Sequence, residues 1–120
     1  AEEHIVHLAH HDSLTGLPNR VLFRQRMTEG LEDVARSGAP MALLCLDLDH
    51  FKSINDTLGH PVGDGLLTIV AERLGQAVAG AGTIARLGGD EFAILLHRAG
   101  HDEAEMLARR LVRDMSEPFV

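Results

Sequence analysis

Two aspartates of this 120-residue chain stand where an apolar run meets a polar turn, and both could bind a metal ion. Asp47 follows the apolar run 41–46, and Asp90 follows the pair Gly88-Gly89. If the two strands are neighbours, both carboxylates project at the same edge, and their repulsion favours a cation between them. Carboxylate oxygens suit Mg²⁺, which shares its coordination sphere with phosphates. The alternative is that each is a solvated acid at a strand end.

The segment between these aspartates carries residue types that bind a nucleotide. Phe51 and Lys52 open a predicted helix, where free N–H groups and a nearby ammonium could cradle phosphate oxygens. Asn55 and Asp64 could read a purine edge, since an amide donates and accepts while a carboxylate accepts from N–H groups. Taken singly, each of these two residues is also an ordinary helix cap.

Other features of the sequence have two interpretations as well. Gly88 and Gly89 either form a hairpin turn that needs positive φ or let a bulky ligand approach the backbone. His7 and His11 have the i, i+4 spacing of a helical metal pair, although an exposed linker helix is the plainer explanation. Cys45 is expected to be a core residue of the central strand.

The periodicity of apolar residues predicts the elements that position these groups. We expect an α/β (α+β) sandwich with helices packed on one central mixed sheet. The inward positions of the first long helix are Phe23, Met27, Leu31, Val34 and Ala35, those of the second are Leu66, Leu67, Val70, Leu74 and Val78, and those of the last are Leu107, Leu111, Val112 and Met115. The predicted elements are a helix ending at 11, a helix over 20–37, a strand over 41–46, a short helix over 52–58, a helix from Asp64, strands over 83–87 and 91–97, and a helix from Asp102 with Glu105 as its capping-box partner.

Composition limits the class of protein. Eighteen acidic against eleven basic residues give a net charge of −7, which argues against broad nucleic-acid binding. The longest apolar run, Met41 to Leu46, is strand-sized, so no membrane contact by this segment is expected. A single cysteine and the lack of an export signal favour a cytoplasmic location.

Three linked motifs then carry a family resemblance. The run 86–92, Arg-Leu-Gly-Gly-Asp-Glu-Phe, resembles the signature that names the GGDEF family of diguanylate cyclases. The run 12–20 resembles the motif that opens that domain, and the run 47–56 with 59–60 and 63–64 resembles its substrate segment. The match extends from Asp12 onward in the same order and spacing.

The resemblance implies a reaction and a role for each matching residue. Two GTP would be condensed to cyclic di-GMP with release of pyrophosphate, by a homodimer in which each domain holds one GTP with two Mg²⁺ or Mn²⁺ ions. The implied metal ligands are Asp47, the Leu48 carbonyl and Asp90; the catalytic acids are Asp90 and Glu91; and the substrate-binding residues are Phe51, Lys52, Asn55, His60, Asp64, Gly88 and Gly89.

The resemblance also implies an organisation for the chain. Residues 1–11 would end a linker helix from an upstream sensory domain, and 12–120 would be a GGDEF domain of palm-like cyclase fold that lacks its C-terminal strand or strands. The run 116–119 resembles chains in which an EAL phosphodiesterase domain follows. The alternatives are a GTP-binding module that regulates such a phosphodiesterase without synthesis, and a structural dimerisation domain.

Overall fold

Helices and strands are mixed along the described part of the chain. The computed structural model describes residues 9–48 and 51–115, with side chains described for 9–48 and 51–113. The elements are α1 (Arg20–Ser37), β1 (Ala42–Asp47), α2 (Phe51–Leu58), α3 (His60–Val78), β2 (Gly82–Gly88), β3 (Glu91–Leu96) and α4 (His101–Met115). The predicted order of elements is therefore confirmed within these residues.

The strands form one sheet in the order β1-β3-β2. Both pairings are antiparallel, so the parallel pairing of a mixed sheet is not found among the described strands. β3 is the central strand and is buried from Phe92 to Leu96 because it is covered on both faces. β1 lies at one edge of the described sheet, so the strand that carries Cys45 is not the central one among the described strands.

Helices cover the two faces of the sheet unequally. The larger core lies between the sheet and the helices α3 and α4, and its fully buried side chains include Leu67, Leu74, Phe92, Ile94 and Leu111. A smaller core lies under α1, where Phe23 packs with Ala85, Ala93 and Leu95 of β2 and β3. The described part of the chain is thus a sandwich of helices around an antiparallel sheet.

Several positions predicted to point inward are exposed. The unbroken apolar run 41–46 predicts a strand buried on both faces, but Leu43 is 50% exposed and Cys45 is exposed, because β1 alternates and α1 packs over β2 rather than over β1. The prediction that Cys45 is a core residue is therefore wrong. Leu31 and Val112, at 55% and 70% exposure, and Ala35 are exposed as well.

Two helix starts differ from the predictions. α3 begins at His60 rather than near Asp64, because Pro61 fits the first turn of a helix, where its missing N–H is not needed. α4 begins at His101, and the carboxylate of Glu103 accepts a hydrogen bond from the N–H of Gly100 at 2.9 Å. The predicted capping pair of Asp102 and Glu105 is therefore wrong, because the capping bond joins Gly100 and Glu103, two positions earlier. Glu105 instead accepts a hydrogen bond from the guanidinium of Arg109.

Some predictions fall outside the described residues. They concern the helix before residue 9, which includes His7, and the residue Asp49. They also concern the side chain of Met115 and the run 116–119. Within the residues that are described, no helix is long and apolar enough to cross a bilayer.

Candidate functional site

The pairing of β1 with β3 brings the predicted acidic residues to one edge of the sheet. Asp47, the last residue of β1, is the register partner of Glu91, the first residue of β3. The N–H of Leu48 donates to the carbonyl oxygen of Asp90 at 3.3 Å, which extends the pairing by one step. Asp47 and Glu91 are exposed and Asp90 is half-buried. Asp47 and the adjacent pair Asp90-Glu91 therefore lie at one edge of the sheet, where β1 ends and the hairpin turns.

The β2–β3 hairpin leaves open space beside these carboxylates. Gly89 has φ 48°, a left-handed conformation that strongly favours glycine, so the hairpin interpretation holds. A Cβ added to Gly88 or Gly89 would meet no atom within 4 Å. The register shifts between Arg86 and Gly88, a bulge of the kind that often adjoins a binding site. The absence of side chains at the turn thus leaves the backbone accessible, which agrees with the second interpretation too.

Arg86 fastens the hairpin turn to the turn formed by residues 12–19. Its guanidinium donates to the carbonyl oxygen of Gly89 at 2.9 and 3.1 Å and to the carboxylate of Asp12 at 3.0 and 3.2 Å. Its backbone N–H donates to the carbonyl of Pro18 at 3.1 Å. Both charged side chains are largely buried, at 15% and 19% exposure. The motif at the start of the chain therefore helps to hold the shape of the Gly-Gly turn.

The carboxyl group of Asp12 is held in its charged form by its neighbours. Burial acts to raise its pKa, but this is outweighed by hydrogen bonds from the Thr15 N–H and hydroxyl, both 2.9 Å, and by the Arg86 guanidinium. The pKa of Asp12 consequently lies below its ordinary value. The sequence did not indicate this pair, since 74 positions separate its members and no local pattern links them.

Arg20 is a second basic residue that the predictions did not assign to the site. Its guanidinium lies 4.0 Å from the carboxylate of Glu91, with both side chains about half exposed. An exposed pair at this distance contributes little to stability. The effect of this pair is local, because Arg20 places one positive charge beside the acidic edge, the sheet edge that carries Asp47, Asp90 and Glu91.

α2 begins three residues after Leu48 and positions Phe51 and Lys52. Phe51 is 9% exposed and belongs to the larger core, so it anchors the first turn of the helix. Lys52 is exposed, and it is the single lysine of the sequence. The structure thus separates their roles: the ring of Phe51 packs inward, and the ammonium of Lys52 faces solvent beside the helix start.

Asn55 and Asp64 lie on two consecutive helices and are not helix caps. Asn55 lies within α2 and Asp64 within the second turn of α3, whose N-cap Gly59 makes no side-chain capping bond. The Oδ1 atom of Asn55 is buried and has no hydrogen-bond partner among the described residues. Asp64 and His60 are exposed. The plain capping interpretation of both polar residues is therefore wrong.

The donor atoms at the edge fit a hard divalent cation whose coordination sphere is completed by a bound ligand. Asp47, Asp90 and the carbonyl of Leu48 are oxygen donors, as Mg²⁺ prefers. No group of three or more His, Cys, Asp or Glu side chains that could enclose a metal ion is found among the described residues. A site with so few protein ligands suits Mg²⁺, which usually keeps waters and shares its sphere with substrate phosphates.

An apolar groove of about 610 Å³ adjoins the site along the edge of β1 that pairs with no described strand. Its lining includes Leu44 and Leu46 of β1, Ile54 of α2 and Leu111 of α4, and its one ionisable acid is Asp47. Because the lining is almost wholly aliphatic, the groove does not provide the polar contacts that a nucleotide needs. The acidic edge and the Gly-Gly turn, beside this groove, are the better candidate site.

Comparisons with known proteins agree with the motifs. The family model described as "Diguanylate cyclase, GGDEF domain" matches residues 9–120. The bifunctional diguanylate cyclase/cyclic di-GMP phosphodiesterase MucR of Pseudomonas aeruginosa is 44% identical over 99% of the chain. The cyclic di-GMP phosphodiesterase NbdA of the same organism is 45% identical over 93% of the chain. The chain spans only 17% and 14% of the lengths of these two relatives.

A solved structure shares the fold. It is a GGDEF-only variant of TpbB, also named YfiN, from P. aeruginosa, and it is 42% identical with a TM-score of 0.87. The match covers 91% of this chain and 64% of that one. Sequence and fold thus agree over nearly all of the described residues.

Proposed function

Because the chain belongs to the GGDEF domain family of diguanylate cyclases, we propose that it binds GTP with divalent metal at the acidic edge and condenses two GTP to cyclic di-GMP. The observation that carries this proposal is the β1–β3 register, which pairs Asp47 with Glu91 and bonds Leu48 to Asp90. Acids that are 43 and 44 positions apart in sequence share one edge only because these strands pair in this register.

Each part of the edge has a proposed role in holding one GTP. Asp47, Asp90 and the Leu48 carbonyl would hold Mg²⁺ or Mn²⁺, two ions for each GTP, with Glu91 as a further acidic contact. When bound, the metal neutralises phosphate charge and makes the α-phosphorus easier to attack. Lys52 and the backbone of Phe51 would contact the phosphates, and the open backbone at Gly88 and Gly89 would admit the nucleotide.

Base recognition is proposed for the helix pair α2–α3. Asn55 would donate to and accept from the guanine edge, and Asp64 would accept from guanine N–H groups, which adenine does not offer in the same places. His60, at the start of α3, would be another substrate contact. The support is that Asn55 and Asp64 are not used as helix caps and that the Oδ1 of Asn55 has no partner among the described residues.

The proposed reaction joins two such sites. The 3′-hydroxyl of one GTP attacks the α-phosphorus of the other, the new P–O bond forms as the bond to pyrophosphate breaks, and Asp90 accepts the hydroxyl proton. Two attacks close the ring and release two pyrophosphates. A homodimer is required because one chain offers one acidic edge, and a partner must present the second GTP.

Product analysis tests this function in the protein that carries the chain. The protein is incubated with GTP and Mg²⁺ and the products are separated by chromatography, with Asp90→Asn in parallel. We expect cyclic di-GMP from the parent and a rate at least ~100-fold lower from the variant, since Asn accepts no proton. Asp102→Asn, an exposed acid in the first turn of α4, is the matched control and should leave the rate unchanged.

A GTP-binding module that regulates a neighbouring phosphodiesterase is the second candidate. It is favoured by the relative NbdA, which is named as a cyclic di-GMP phosphodiesterase and not as a cyclase. Measurable GTP binding without any cyclic di-GMP from the parent protein would contradict the cyclase and select this module. Absence of GTP binding by the folded protein would contradict both.

A further inference from the structure

The side chain of Asn55 lies in a slot between α2 and α3 that exists because residue 63 is glycine. Gly63 is buried in the first turns of α3, directly opposite the amide of Asn55. A Cβ added to Gly63 would overlap with the Oδ1 of Asn55 and would lie 2.8 Å from its Cγ and 3.4 Å from its Nδ2. No real Cβ tolerates such an approach, so any larger residue must displace Asn55 or separate the helices.

The slot is not a general feature of this helix. α3 contains two more glycines, Gly65 and Gly75, and a Cβ added to either would meet nothing within 4 Å. Glycine in the middle of a helix is destabilising relative to alanine, so open positions gain nothing from it locally. Gly63 differs because its missing side chain is replaced by a polar group from another helix.

The contact is a poor one if its only purpose is packing. The Oδ1 of Asn55 is buried without a hydrogen-bond partner among the described residues. A buried acceptor without a partner weakens the fold, and an apolar side chain of similar size would fill the same slot without that cost. The arrangement is reasonable if the slot serves to hold the amide of Asn55, a half-buried residue, in one orientation for a ligand.

We propose that Gly63 is a positioning residue for base recognition, which holds the amide of Asn55 in the orientation that reads guanine. The inference rests on the proposed function, in which Asn55 contacts the base. Gly63 itself touches no substrate. It acts by omitting a side chain, so that Asn55 packs against the backbone of α3 one residue from Asp64, and the two base-reading groups share one site.

The first experiment measures nucleotide binding to Gly63→Ala in the protein that carries the chain. Binding of GTP and of ATP is followed by calorimetry with Ca²⁺ in place of Mg²⁺ to limit turnover. We expect the Kd for GTP to rise by about tenfold, the effect of losing one hydrogen bond, and the preference for GTP over ATP to fall. Gly75→Ala, an open position on the same helix, is the matched control and should bind both nucleotides like the parent.

The second experiment separates positioning from general damage to the fold. If Gly63 acts through Asn55, its substitution should change the Kd for GTP by less than about twofold in an Asn55→Ala background, because the overlapping atoms are gone. A loss in Gly63→Ala that persists in Asn55→Ala would contradict the proposal, and so would unchanged GTP binding and selectivity in Gly63→Ala. Circular dichroism and thermal melting of every variant identify any that do not fold.

The outcomes also separate this inference from the proposed function. If the folded parent protein does not bind GTP, the proposed function fails and the inference fails with it. If the parent binds GTP and Asn55→Ala weakens that binding while Gly63→Ala does not, only the inference about Gly63 fails.

Discussion

At the scale of single residues, Lys52 is the side chain through which chemical modification can probe the site most selectively. It is the only lysine in the sequence, whereas the other ten cationic side chains are arginines. It is exposed at the start of α2, close in sequence to the acidic edge. An amine-reactive reagent therefore has one lysine to modify in this chain, and that lysine is proposed to contact the phosphates.

Bound GTP should protect Lys52 from acylation. With a GTP concentration about ten times its Kd and Mg²⁺ present, the acylation rate should fall about tenfold, because only the free fraction reacts. The rate is measured by mass spectrometry of the peptide that contains Lys52. ATP is the matched control and should protect less at the same concentration. An acylation rate unaffected by saturating GTP would exclude Lys52 from the phosphate site.

The residues that sequence alone could locate are those tied to strand ends and turns. Asp47, which follows a strand-like run, and Asp90, which follows the Gly-Gly turn, are expected at one edge if their strands are neighbours, and the pairing of β1 with β3 confirms this placement. The link between Arg86 and Asp12 could not be foreseen, since only the packed fold brings them together. The slot at Gly63 could not be foreseen either, because a Cβ added there meets Asn55 only after α2 and α3 have packed together.

At the scale of elements, the 12–19 turn and the β2–β3 hairpin behave as one unit. Arg86 bonds both turns through its side chain and the 12–19 turn through its backbone as well. Thr15 orients the same carboxylate from the other side. The shape of the Gly-Gly turn therefore depends on a residue at the start of the chain.

Asp12→Asn should weaken this unit in a pH-dependent way. At neutral pH we expect a loss of about 1–2 kcal/mol in the free energy of unfolding, because a largely buried guanidinium loses its counter-charge. The pKa of Asp12 is lowered in the folded state, so its stabilising effect is complete above the pKa of the unfolded chain, about 3.9, and is lost as pH falls through the lower folded value.

Denaturant unfolding at several pH values measures this difference. The gap between the parent protein and Asp12→Asn should close below about pH 4, as the parent carboxylate becomes protonated. Asp33→Asn is a matched control, because Asp33 pairs with Arg36 and Arg98, both of which are exposed, and its removal should change stability less. A gap that stays constant from pH 7 to pH 3 would show that charge at Asp12 is not what stabilises the turn.

Element boundaries were predictable where local chemistry sets them. Asn19 caps α1 by accepting from the N–H of Leu22 at 3.1 Å, and Gly38 ends it in a left-handed conformation, as their types suggest. The start of α3 was placed four residues late because Pro61 was not taken as a first-turn residue. The exposure of Leu43 and Cys45 depends on which helix covers which part of the sheet, and periodicity within β1 does not contain that information.

At the scale of the whole molecule, the net acidic charge limits how a nucleotide can bind. A net charge of −7 is unfavourable for binding a bare triphosphate, so the phosphates must arrive with metal ions. The acidic edge formed by β1 and the hairpin is where we propose that such a complex binds. The apolar groove beside it, along the edge of β1 that pairs with no described strand, is a separate surface.

Crystallography of the protein with a GTP analogue that resists attack at the α-phosphorus and with Mn²⁺ tests the central claim most directly. Anomalous scattering locates the manganese independently of the protein density. We predict a peak within about 2.5 Å of carboxylate oxygens of both Asp47 and Asp90, with the triphosphate beside Lys52 and the Gly88-Gly89 backbone. A bound nucleotide whose manganese contacts neither aspartate would contradict the assignment of this edge as the catalytic site.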